Sequence, residues 1–204
     1  ATSAMLWILL ACLSLGQSLP DNSVDLCKIH SDFCSFKSYT GFADLGPPGA
    51  LFYWYFEPPN VTDISSLPLI LWLQGGPGSS SMLGAFFEHG PVALNSDGQL
   101  LPRDPRGAWA SYAPVLYVDS PVGTGWSWAR ENGYAKSQAD VAYALARFLD
   151  LFAARHSAGT AKRRLVLAGE SYGGHYVPAL GNFLVQNQGP FMPPFHLEAV
   201  MVGD

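Results

Sequence analysis

Leu165-Val-Leu-Ala-Gly169-Glu-Ser171-Tyr-Gly173-Gly-His-Tyr-Val-Pro-Ala179 decides the fold of this 204-residue chain. The first four residues are an apolar run of strand length. A Gly-x-Ser-x-Gly turn follows, and Tyr176, Val177, Leu180, Phe183 and Leu184 then recur at helical spacing. Strand, tight turn and helix around one serine make a nucleophile elbow, with the hydroxyl of Ser171 at its tip. Such a turn needs small residues on both sides, and Gly169 and Gly173 supply them. Pro178 falls early in the predicted helix, where its missing N–H costs less than at the centre. Gly125-Trp-Ser127-Trp-Ala129 nearly repeats the pattern. No apolar strand leads directly into it, so Ser127 reads as structural.

Working outward, further short apolar runs are bounded by Gly and Pro. They are Leu51-Phe-Tyr-Trp-Tyr-Phe56, Leu69-Ile-Leu-Trp-Leu73, Val115-Leu-Tyr-Val118 and Ala199-Val-Met-Val202. Runs of this kind suit strands buried on both faces. Val141, Leu145, Phe148, Leu149 and Phe152 predict a helix, with Asp140 as its N-cap. Residues 19–50 read as irregular. Strands alternating with helices predict an α/β protein with a mostly parallel sheet flanked by helices.

Composition bounds the function. The chain is 49% hydrophobic and 13% charged, enough for one substantial core. Its net charge of -5 and the single basic run Lys162-Arg163-Arg164 exclude a nucleic-acid partner as the leading reading. Residues 1–18 read as leader and signal peptide. The apolar run Met5–Leu15 ends at Gly16-Gln-Ser18, a small-x-small cleavage pattern, although no Lys or Arg precedes it. A buried hydrophobic helix is the alternative, and the run is too short to span a bilayer. Residues 19–204 then form one domain. Asn60-Val-Thr62 is a glycosylation sequon in a Pro-rich loop. Cys27 and Cys34 form an even pair once Cys12 leaves with the signal; they can bridge each other or pair elsewhere. Two cysteines without a paired His motif do not make a zinc site, and no metal or cofactor is implied.

The chemistry gathers around two loops. A serine hydroxyl is a poor nucleophile until a base takes its proton. The helix that starts after Ser171 offers free backbone N–H groups to developing negative charge, first that of Tyr172. Upstream, Trp72-Leu-Gln74-Gly75-Gly76-Pro77-Gly78 leaves a strand as a glycine-rich loop able to turn N–H groups toward an anion. No Gly-Lys-Ser/Thr follows, so it is not a phosphate loop.

Gly169-Glu-Ser-Tyr-Gly-Gly174, Gly75-Gly-Pro-Gly78, Phe87-Glu88 and Pro121-Val-Gly-Thr-Gly125, in this order, resemble the serine carboxypeptidases. Trp72-Leu-Gln-Gly-Gly-Pro-Gly78 and Glu88-His-Gly-Pro91 look most like the vitellogenic-like branch. The resemblance runs from about Ser38 to Asp204 and implies an α/β-hydrolase fold. It also implies release of C-terminal amino acids from peptides with a free C-terminus, at acidic pH. It makes Ser171 the nucleophile and the N–H groups of Gly76 and Tyr172 the oxyanion hole. It assigns Gln74, Gly75, Glu88 and Glu170 to the substrate carboxylate. Gln74 stands where many members have Asn, and Ser79 where a cysteine is common. Two neighbouring glutamates would repel a bound carboxylate unless one stays protonated, which predicts an acidic optimum.

The order Ser, acid, His implied by the elbow expects both partners beyond Asp204. The chain is therefore expected to be the N-terminal part of a larger domain and inactive alone. His30, His89, His156, His175 and His196 are not expected to be the base, nor Asp119, Asp140 or Asp150 the triad acid. Alternative readings are an acyltransferase of the same fold and a non-catalytic binding or protective protein. Signal and sequon point to the secretory pathway, with secretion or lysosomal or vacuolar delivery.

Overall fold

The computed structural model describes residues 22–28, 30–34, 36–156, 163–186 and 193–204. The expected signal segment 1–18 and Lys162 lie outside the described residues. Ten strands are present among those residues: β1 (Asn22–Ser23), β2 (Lys37–Asp44), β3 (Gly49–Glu57), β4 (Leu69–Leu73), β5 (Val92–Leu94), β6 (Leu100–Pro102), β7 (Val115–Val118), β8 (Trp128–Ala129), β9 (Arg163–Glu170) and β10 (Phe195–Gly203). Two α-helices, α1 (Gln138–His156) and α2 (Gly173–Gln186), follow β8 and β9.

The main sheet runs β1-β2-β3-β7-β4-β9-β10, with β8 added beside β3. β4 and β7, β4 and β9, and β9 and β10 pair in parallel. From β7 outward through β3, β2 and β1 the pairing is antiparallel. The sheet is therefore mixed, and its parallel half bears the elbow. The antiparallel half follows from β2, which pairs with β3 along its whole length, Lys37 opposite Glu57 and Asp44 opposite Ala50. β2 corrects the reading of residues 19–50 as irregular. Its Lys, Ser, Thr, Gly and Asp hide a strand that β3 recruits through its backbone.

Both faces of the sheet's central strands β3, β7, β4 and β9 are covered, as the unbroken apolar runs require. On β3, Leu51, Tyr53 and Tyr55 point into one cluster and Phe52, Trp54 and Phe56 into the other. The first cluster is closed by α1 and α2 through Leu145, Phe148, Leu149, Tyr176, Val177 and Leu180, all buried. The second packs Trp72, Met82, Ala85 and Val92 with Leu26 and Phe33 from the N-terminal turns. A disulfide joins Cys27 to Cys34 across those turns, with Cα atoms 4.3 Å apart. Among the described residues β10 pairs with β9 alone, and its Val200, Met201 and Val202 are 45%, 47% and 57% exposed.

The cap of α1 differs from expectation. Ser137, not Asp140, accepts from the helix: its hydroxyl takes the Asp140 N–H at 3.2 Å. The Asp140 carboxylate reaches back to the Lys136 N–H at 2.9 Å. The pair resembles a capping box whose return bond falls one residue before the cap, so the carboxylate three residues after Ser137 supports the cap without being it. Asn60 is exposed in the turn between β3 and β4. Among the described residues no helix is long and apolar enough to cross a membrane.

Candidate active site

β9 delivers Glu170 and Ser171 to the C-terminal edge of the sheet, and the chain reverses sharply there. Ser171 sits at φ 52°, a left-handed conformation that costs an L-residue roughly 1 kcal/mol or more. The surroundings enforce it. The Ser171 N–H donates to the Gly203 carbonyl of β10 at 3.0 Å. On the other side β4 crowds the turn: a Cβ at Gly169 or Gly173 would stand 2.7 or 2.5 Å from the Leu73 carbonyl oxygen. The loop leaving β4 then passes directly over the elbow. A Cβ at Gly75 would meet the Tyr172 nitrogen at 2.6 Å and the Ser171 Cβ at 2.8 Å. The pattern Gly-x-Ser-x-Gly is thus a packing requirement between two strands. Ser171 itself is exposed.

Gln74, Glu88 and Glu170 meet beside this turn. Trp72 and Gln74 alternate onto one face at the end of β4. Glu88 ends a short π-helical turn, Gly84–Glu88, and Glu170 is the last residue of β9. The buried Gln74 amide is fully engaged. Its oxygen accepts from the Trp72 indole at 3.0 Å, and its nitrogen donates to Glu170 Oε1 at 2.5 Å and to Glu88 Oε1 at a longer 3.4 Å. The Trp72 bond fixes the amide orientation, because only the oxygen can accept the indole N–H. Burial, then the Glu170 charge, push the Glu88 carboxyl above its usual pKa; the Gln74 donor partly opposes this. An acid of this kind, poised beside a second carboxyl, can donate a proton to an incoming anion.

Asp119 and Ser81, which sequence reasoning did not place here, build the floor. Asp119 is fully buried and accepts from the Ser80 hydroxyl, the Ser81 N–H and the Trp126 N–H at 2.7, 2.8 and 2.9 Å. It staples the loop after β4 to the loop after β7. Burial pushes its carboxyl up, against the pull of those donors. The Ser81 hydroxyl donates to the Val118 carbonyl and accepts the Gln74 N–H at 3.1 Å. Ser127 donates to the Asp119 carbonyl and accepts the Phe52 N–H, a structural role. Asp119 at a strand end followed by Ser-Pro was the available signal, but only the fold brings the two loops together.

No histidine among the described residues is hydrogen-bonded to Ser171. His175 is exposed and lies against the Tyr172 ring at 4.5 Å between centroids. His196 pairs with Arg164 at the opposite end of β9, seven residues from the elbow and so about 20 Å away. His156 stacks on Phe152, and His89 is buried among Trp72, Trp109 and Tyr117. Among the described residues no cluster of three His, Cys, Asp or Glu is arranged to hold a metal ion.

A serine lifted on a strand-to-helix turn, over a sheet whose parallel half is flanked by helices, defines the class as α/β-hydrolase. Within that class the chain belongs to the serine carboxypeptidase family, whose model matches residues 29–204. It is 38% identical over 175 residues to the probable serine carboxypeptidase CPVL of Mus musculus, covering 82% of this chain and 35% of that protein. It is 34% identical over 205 residues to the lysosomal protective protein of Mus musculus, covering 98% of this chain and 40% of that protein. Among solved structures, the prohormone-processing carboxypeptidase Kex1(delta)p of Saccharomyces cerevisiae superposes with a TM-score of 0.78 at 26% identity, over 93% of this chain and 44% of that one. The chain thus spans between 35% and 44% of the length of these relatives.

Proposed function

We propose that this chain forms the nucleophile and carboxylate-binding half of a serine-type carboxypeptidase acting at acidic pH. The observation that carries the reading is the Gln74 amide joining Glu88 and Glu170 one residue from the elbow serine. In this reading the C-terminal carboxylate of a peptide is held by Gln74, the Gly75 N–H, Glu88 and Glu170. One glutamate contributes a proton. Ser171 Oγ attacks the last peptide carbonyl and passes its proton to a histidine base. The tetrahedral oxyanion lies against the N–H groups of Gly76 and Tyr172. Neither group gives its proton to another acceptor among the described residues, and Gly75 packs on Tyr172, which supports a shared oxyanion site. Collapse gives the proton to the departing amino acid and leaves an acyl-enzyme on Ser171, which water then hydrolyses.

In this reading the acid and the base come from sequence after Ser171, as the order Ser, acid, His of the elbow requires, and a polypeptide limited to residues 19–204 is inactive. The open, apolar β10 supports a sheet that continues. Entry into the secretory pathway, glycosylation at Asn60 and an oxidised Cys27–Cys34 pair belong to the same reading; similarity to the lysosomal protective protein supports it. The test compares an N-blocked dipeptide with its C-terminal amide in the full-length enzyme at pH 4.5 and 7.5. Release of the last residue from the free acid only, strongest at pH 4.5 and lost in Ser171→Ala, is the expected result. Equal turnover of acid and amide refutes carboxylate recognition.

A further inference from the structure

His89 lies directly behind Glu88 and is packed more deeply than that glutamate. Its ring stacks on Trp109 with centroids 3.9 Å apart and planes 14° apart, and meets Trp72 edge-on at 4.2 Å. Nδ1 lies 3.1 Å from the Tyr117 hydroxyl. Nε2 is buried without a hydrogen-bond partner and stands 3.7 Å from Glu88 Oε2. The His89 side chain is 9% exposed against 30% for Glu88. The imidazole is therefore the fixed partner and the carboxyl the movable one.

The tautomer follows from the phenol. Burial pushes the Tyr117 hydroxyl far above its ordinary pKa, so it keeps its proton. His89 Nδ1 is its one hydrogen-bond partner among the described residues. A buried O–H left without an acceptor is costly, so the phenol donates and Nδ1 accepts. The imidazole proton then sits on Nε2, aimed at Glu88. A small rotation of the carboxyl closes 3.7 Å to hydrogen-bond distance, as contacts in unliganded sites commonly tighten on binding.

We propose that His89 is a positioning residue for the substrate carboxylate: its Nε2–H takes Glu88 Oε2 as acceptor and leaves Oε1 to carry the proton shared with Glu170 and the ligand. This rests on the carboxylate-binding role of Glu88 proposed above. The groups facing His89 are Glu88 from its own turn, Tyr117 from β7 and Arg103 after β6, with Glu170 acting through Glu88; Trp72 and Trp109 complete the shell and do not titrate. Burial and the Arg103 charge push the imidazole down to about 4. Above that pH His89 is neutral and the contact to Glu88 is a neutral donor, not an ion pair. Below it the imidazolium favours ionised Glu88 and removes the proton that the ligand carboxylate needs, so binding has an acid limb as well as an alkaline one.

The test uses the full-length enzyme with an N-blocked dipeptide and with an N-blocked amino-acid ethyl ester, whose leaving group has no carboxylate. His89→Phe is expected to raise KM for the dipeptide about tenfold at pH 5.5, with less than threefold effect on the ester. His89→Gln, which keeps an acceptor for Tyr117 and an N–H for Glu88 but does not titrate, is expected to restore KM and lose the acid limb near pH 4. If His89→Phe does not fold, the pH profile of His89→Gln decides. Equal losses on both substrates, or an acid limb unchanged in His89→Gln, overturn the proposal. A wild-type enzyme that treats dipeptide and dipeptide amide alike would overturn carboxylate recognition itself, a distinct outcome.

Discussion

Gln74→Leu keeps nearly the volume of a buried side chain and removes every polar contact it makes. The Trp72 indole N–H, buried behind the amide, loses its acceptor. An orphaned buried donor costs about 1–3 kcal/mol. Glu170 and Glu88 lose the N–H groups that Gln74 directs at them from 2.5 and 3.4 Å. Bonds to a charged acceptor are worth about 1.5–3 kcal/mol when well formed, and only the shorter one here counts fully. The partly exposed carboxyls recover some of this from water. The net expectation at pH 7 is a loss of about 2–4 kcal/mol.

The sign of the pH dependence is fixed by Glu88. Its pKa is raised above the ordinary 4.5 in the folded protein, so its favourable contribution is full below 4.5 and lost as pH rises through the raised value. The Gln74 donor lowers that value, and removing it raises it further. The variant should therefore lose more stability at pH 7 than at pH 4.5, where a carboxyl pair can share a proton and only the cost of the orphaned Trp72 donor, about 1–3 kcal/mol, remains. Urea unfolding followed by tryptophan fluorescence at both pH values measures this. A loss independent of pH, or below about 0.5 kcal/mol at pH 7, would refute the reasoning that the amide mediates between two acids.

Ser171→Gly should stabilise the fold by about 1 kcal/mol, since φ 52° is free for glycine, while lowering kcat by about 10⁴ or more; an unchanged or lower unfolding midpoint would contradict the strain argument. Gly75→Ala places a Cβ 2.6 Å from the Tyr172 nitrogen and should lower kcat/KM about a hundredfold through displacement of the elbow, read by steady-state kinetics on an N-blocked dipeptide. KM for that dipeptide should rise as pH passes the raised Glu88 value, and Glu88→Gln, which cannot ionise, should flatten this alkaline limb. Asp119→Ala should cost about 3 kcal/mol or more by freeing three donors between two loops, with the largest effect in thermal unfolding.

Much of this protein was legible as sequence, because its signals are local. The elbow needs an apolar run, a serine between two glycines and a helical repeat, all within Leu165–Leu184, and the structure places Ser171 at the turn between β9 and α2. The strands at Leu69–Leu73 and Val115–Val118 have the limits their apolar runs predict, since runs buried on both faces admit no polar residue. β2 was not legible, because its partner β3 supplies the apolar surface and its own residues are mixed. Glu88 and Glu170 were named from motifs 82 positions apart, yet nothing in either motif says that one amide bridges them. That bridge exists because β4 and β9 are parallel neighbours, which puts Gln74 and Glu170 at the same sheet edge. The orientation of the amide by Trp72, the burial that raises Glu88 and the phenol that aims His89 are likewise products of packing. Local sequence determined which residues are available and in what backbone conformation. The tertiary structure decided their protonation, because pKa values and hydrogen-bond direction depend on burial and on neighbours that only the sheet brings together.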